Sequence, residues 1–127
     1  MKICFVVQRY GVEVNGGAET LTRQLAEHMA AYTDHEVEVA TTKAIDYVTW
    51  KDEYEADEEM IAGVKVRRFP VAHPRVQEKF APYCDKVASG NASAEEQEEW
   101  MRLQGPETPA LINWLKDNKD NYDKFIF

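Results

Sequence analysis

Ile3-Cys4-Phe5-Val6-Val7 is a continuous β-rich run, apolar on both faces, the pattern of a parallel strand covered by helices on either side. Arg9 to Gly17 follows with three glycines and Asn15 and reads as a loop. From Ala18 the spacing becomes helical: Leu21, Leu25, Met29 and Tyr32 fall on one stripe. Asp34-His35 breaks that pattern, and Glu36 to Thr42 alternates Val37 and Val39 with glutamates, predicting a second strand. Strand, glycine loop, helix and strand make a βαβ unit, whose crossover is expected to be right-handed.

Lys43 to Met60 is polar and rich in acids and aromatics, and reads as an irregular excursion. Val64 to Val71 alternates again and predicts a third strand after a turn at Gly63, with Pro70 limiting its end. Pro74 to Ser89 is weakly helical. Ser93 followed by Glu96 forms a capping box for a helix over Ala94 to Leu103, which Gly105-Pro106 ends. Thr108 is the expected cap of a further helix, with Pro109 in its first turn and Leu111, Ile112 and Leu115 on one face. After a charged turn at Asp117 to Asp123, Tyr122 to Phe127 begins a fourth strand, and the sequence stops inside it. An apolar strand with nothing after it predicts a truncated piece of a larger chain. The expected fold class is α/β: a Rossmann-like open parallel sheet flanked by helices, one domain over residues 1–127.

Composition narrows the partners. A length of 127 residues suits one domain, and 44% apolar residues suffice for one core. A net charge of −8 repels phosphate backbones and anionic lipid heads, which argues against nucleic acid; a local basic site for a nucleotide remains compatible with it. The two cysteines, Cys4 and Cys84, have no CxxC spacing. A buried reduced thiol at Cys4 and a cytoplasmic location are expected. The first apolar run is too short for a signal peptide or a membrane span.

The chemistry-bearing residues gather where the strands end. Asn15-Gly16-Gly17-Ala18-Glu19 joins the first strand to the first helix. There a helix presents unpaired N–H groups and the positive end of its dipole. Gly16 and Gly17 leave room for an anion such as a phosphate; a tight turn is the competing reading. The spacing is neither the dinucleotide fingerprint nor a P-loop, and no acid follows the second strand to hold a ribose. Arg9, at the exit of the first strand, is placed to hold a phosphate or carboxylate, or is a surface arginine. Glu19 lies in the first helical turn, where it complements the dipole, and Arg23 is spaced to pair with it. Asp46, Tyr47 and Trp50 follow the second strand, where polar and aromatic groups suit sugar recognition or plain edge packing. His73, His28 and His35 have no metal-ligand spacing, so no metal is expected. Glu95, Glu96, Glu98 and Glu99 read as the solvated face of a helix whose apolar side is Trp100 and Leu103.

Arg9-Tyr10-Gly11, Gly16-Gly17-Ala18-Glu19 and Arg23-Gln24-Leu25-Ala26 together resemble the opening of the retaining glycosyltransferases of family 4. Ala44-Ile45-Asp46-Tyr47-Val48-Thr49-Trp50, Gly63-Val64-Lys65-Val66-Arg67-Arg68-Phe69, Gln104-Gly105-Pro106 and Tyr122-Asp123 extend the resemblance over nearly the whole chain. It implies the N-terminal half of a GT-B fold, in which two Rossmann-like domains face a cleft. The N-terminal domain mainly binds the acceptor, a sugar or glycolipid; the C-terminal domain, absent from this sequence, binds most of the nucleotide-sugar donor. The resemblance implies that Gly16 and Gly17 approach the donor diphosphate, and that transfer retains configuration without a metal or other cofactor. Many relatives glycosylate lipids, which makes peripheral membrane contact a property to test in the parent, although no basic amphipathic helix is present. The fragment alone is expected to be inactive. The alternative is a stand-alone nucleotide or sugar-phosphate binding module.

Overall fold

A computed structural model describes all residues, 1–127. The elements in chain order are β1 (Lys2–Val6), α1 (Gly17–Tyr32), β2 (Glu36–Thr42), β3 (Glu58–Ile61), β4 (Val64–Phe69), α2 (Gln77–Ala88), α3 (Ala94–Gln104), α4 (Pro109–Asn118) and β5 (Lys124–Ile126). The strands form one sheet in the order β3-β4-β2-β1-β5. β1 pairs in parallel with β2 and β5, and β2 in parallel with β4. The chain is an α/β protein whose five-stranded, mostly parallel sheet is flanked by helices, an arrangement compatible with a Rossmann-like fold.

Alternation along the strands divides the core between the two sheet faces. Ile3, Phe5, Val37, Val39, Val64 and Val66 pack with Ala26 of α1 on one face. Cys4 and Ala40 pack with Leu111 of α4 on the other, beside Trp114, Tyr122 and Phe125. Cys4 is fully buried, and burial pushes its thiol pKa from 9.0 up to about 12. No helix is long and apolar enough to cross a membrane.

Three expectations need correction. The sheet is mixed rather than wholly parallel, because the supposed excursion contains β3, antiparallel to β4. Ala62 and Gly63, both at positive φ (48° and 80°), make the connection, the backbone shape that right-twisted hairpins favour. Of the expected stripe on α1 only Met29 packs against the core: Leu21, Leu25 and Tyr32 are 57%, 46% and 80% exposed, and Ala26 is the residue buried against the sheet. A small side chain lets the helix axis come close, and Ala26 supplies it. Thr108 makes no side-chain cap for α4.

Ser93 caps α3 as its spacing predicts. Its hydroxyl accepts from the Glu96 N–H, and the Glu96 carboxylate accepts from the Ser93 N–H. On α3, Leu103 is buried and Trp100 half-buried, while Glu96 pairs with Lys86 and Glu99 with Arg102. At the amino end of the sheet Glu38 is buried among opposite charges. Arg67 Nε lies 3.2 Å away, Lys2 Nζ 3.6 Å away, and the Tyr122 hydroxyl donates to the carboxylate. Burial alone would raise the Glu38 pKa, but hydrogen bonds from Tyr122 and Arg67 and the charges of Arg67 and Lys2 bring it below the usual 4.5.

Candidate functional site

The loops after β1, β2 and β4 meet at the carboxyl rim of the parallel strands, the edge where open α/β sheets bind ligands. The loop from β1 enters α1 through Gly16, which has no side-chain cap. The N–H groups of Gly17, Ala18 and Glu19 have no hydrogen-bond partner. Nothing lies within 4 Å of where a Cβ on Gly17 would sit. Gly16 differs. A Cβ there would lie 2.2 Å from Glu19 Oε2 and 3.0 Å from Arg9 Nη2, so its lack of a side chain is required by packing.

Arg9 turns inward rather than lining the rim. Its side chain is only 8% exposed. Nε and Nη2 donate to Glu19 Oε1 at 3.0 and 2.7 Å, Nη1 donates to the Ile45 carbonyl at 2.9 Å, and Nη2 donates to the Asn15 carbonyl at 3.0 Å. One guanidinium thus ties together the glycine loop, the first turn of α1 and the loop after β2. Glu19 pairs with Arg9 rather than Arg23, which pairs instead with Glu27.

The three candidates after β2 have different positions. The Asp46 carboxylate accepts from the Val48 N–H at 2.8 Å and from the Thr49 hydroxyl, closing a local turn. Tyr47 is 58% exposed, with the Arg9 guanidinium 5.3 Å from its ring centroid. Trp50 is buried with Ala44 and Val71 and offers no ring face to a sugar. Its Nε1–H donates to the Gln104 carbonyl at 2.9 Å, and its φ is 53°. A bulky residue in the left-handed region is strained, and packing and this hydrogen bond hold it there.

A second buried guanidinium was not singled out by sequence. The Arg68 side chain is 0% exposed. It donates to the Tyr10 carbonyl and to Glu59, and stacks 3.5 Å from the Tyr54 ring centroid. The Tyr54 hydroxyl donates to Glu13 Oε2 at 2.6 Å and lies 2.1 Å from where a Cβ on Gly11 would sit. That hydrogen bond lowers the Glu13 pKa, while burial, then the bond to Glu13, raises that of Tyr54 to about 12. Tyr54 thereby docks the segment between β2 and β3 onto the glycine loop.

His73, after β4, pairs through Nε2 with Glu107, with Arg102 beside both. His28 and His35 hydrogen-bond to the Gln24 carbonyl and to the amino terminus. No group of three or more His, Cys, Asp or Glu is placed to hold a metal ion. A groove of about 440 Å³ opens on the α4 face of the rim, lined chiefly by apolar groups including Val6, Val7, Pro106, Leu111 and Ile112.

The rim can therefore present bare amides to an anion or hydroxyl beside an exposed aromatic ring, next to an apolar groove. It offers no free cation at the amides, because Arg9 is neutralised by Glu19. Comparison of the chain with protein-family models, with curated proteins and with solved structures found no match.

Proposed function

We propose that this chain is the acceptor-side domain of a retaining, nucleotide-sugar-dependent glycosyltransferase of GT-B architecture. The observation that carries the reading is the open start of α1: three unpartnered N–H groups at the carboxyl rim, with Gly17 facing empty space. Such amides suit the diphosphate of a nucleotide-sugar. The cations needed to neutralise that diphosphate would come from a donor-binding domain across the cleft, since Arg9 is already engaged. Gly17 is the residue that contacts donor oxygens, and Gly16 shapes the loop. Tyr47 is the ring placed to stack on a sugar, and the groove beside Leu111 and Ile112 suits the apolar part of a glycolipid acceptor.

Sugar transfer by a polypeptide joining this domain to a donor-binding domain tests the reading. Gly17→Val should lower transfer by at least about tenfold without lowering the melting temperature, since lost anion stabilisation falls on the reaction itself. Unchanged transfer would overturn the assignment. Calorimetry of residues 1–127 with nucleotide-sugars separates the alternative: micromolar binding by the isolated chain would make it a stand-alone nucleotide or sugar-phosphate module.

A further inference from the structure

The Asn15-Gly16 bond in the loop before α1 has a reactivity of its own. We propose that Asn15 is a site of spontaneous covalent modification, converting to aspartate and isoaspartate through a cyclic imide, and that the folded loop promotes the conversion.

Three observations carry this. The Asn15 side chain is exposed and makes no hydrogen bond, so its amide carbon is free to meet the backbone. The Gly16 N–H likewise has no partner, and no Cβ shields the nitrogen. Most tellingly, the buried Arg9 guanidinium donates to the Asn15 carbonyl at 3.0 Å. That carbonyl and the Gly16 nitrogen belong to one amide. When the nitrogen loses its proton, negative charge spreads onto the carbonyl oxygen, where a fixed guanidinium stabilises it. The amino end of α1 adds a positive partial charge close by.

In the first step the Gly16 N–H gives its proton to solvent base, and the nitrogen attacks Asn15 Cγ. A C–N bond forms, the bond from Cγ to the side-chain nitrogen breaks, and that nitrogen takes a proton from solvent and leaves as ammonia. In the second step water adds to one imide carbonyl. Opening at the side-chain carbonyl yields aspartate; opening at the backbone carbonyl yields isoaspartate, with one extra carbon in the main chain. Either product places a carboxylate in front of the α1 amides. Its effect on ligand binding rests on the loop reading above, whereas the covalent change does not, so each can fail separately.

The other asparagines, Asn91, Asn113, Asn118 and Asn121, precede Ala92, Trp114, Lys119 and Tyr122, all bearing a Cβ, and serve as internal controls. The test incubates the full chain at mildly alkaline pH, native and in urea, with peptide mapping by mass spectrometry and enzymatic detection of isoaspartate. Asn15 should convert at least about tenfold faster than each control, because no Cβ stands on the residue that supplies its attacking nitrogen. Its native rate should exceed its rate in urea. Arg9→Gln should slow the native reaction and leave the urea rate unchanged. If that variant fails to fold, the comparison of native with urea-treated wild type decides alone. A native rate equal to or below the urea rate overturns the inference, since the loop would then give Asn15 no help or would protect it.

Discussion

Arg9 Nη2 and Glu19 Oε1 lie 2.7 Å apart, with side chains only 8% and 13% exposed. Two charges this far from water hold each other at a desolvation cost, so removing one strands the other. Glu19→Ala should cost about 3 kcal/mol or more in urea unfolding, in the range for breaking a buried pair. The double variant Arg9→Met, Glu19→Ala should lose less than the sum of the two single losses. Additivity would show that the pair is not coupled.

The adjacent glycines should respond in opposite directions. Gly16→Ala drives a Cβ into the Glu19 carboxylate and should cost about 1–3 kcal/mol, the usual range for overpacking. Gly17→Ala meets nothing within 4 Å at a helical position and should stabilise by about 0.4–1 kcal/mol through the unfolded chain. Thermal melts of the two variants would check the contrast.

Acid stability should depend on Glu38. Its folded pKa lies below the ordinary 4.5, so its pairing stabilises the fold above that value and is lost as pH falls through the folded value. Glu38→Gln should lower stability at neutral pH and flatten its decline in acid. An acid limb identical to wild type would remove Glu38 from the account.

At the alkaline end the sign reverses. Cys4, Tyr10 and Tyr54 are each pushed up to about 12, mainly by burial, from ordinary values of 9.0 and 10.0. The unfolded chain releases these protons first, so stability should fall as pH rises above 9.0. Under native conditions Cys4 should resist a thiol reagent that labels it in urea. Prompt native labelling of Cys4 would contradict its burial.

Ser93 offers a local measurement. Ser93→Ala removes the acceptor for the Glu96 N–H and should cost about 1 kcal/mol, the typical loss for an N-cap. Ser93→Asp should recover most of it.

Much of the fold was legible because period and punctuation agreed. β1, β2 and β4 are apolar or alternating runs, and α3 carries its own cap. β3 was not legible, since Glu58-Glu59-Met60-Ile61 is a short, polar edge strand whose only reason to be extended is its pairing with β4. α1 shows two stripes, and apolar area favours burial of the larger side chains; close approach to the sheet selected Ala26 instead. At the rim, the position of Arg9 follows from the end of β1. Its burial depends on Asn15, Glu19 and Ile45, which only the folded chain brings together. Arg68 could have been found: alternation from Val64 and Val66 puts it on the inward face, where a charge needs partners.

Glu38 joins Arg67 of β4 and Lys2 of β1 to the Tyr122 approach to β5, at the end of the sheet away from the glycine loop. Cohesion of the parallel strands and the arrangement of the rim loops at their other end thus rest on different residues. Exposed positions on the rim loops, such as Tyr47 and Val48, can therefore vary without disturbing the clamp at the base of the strands.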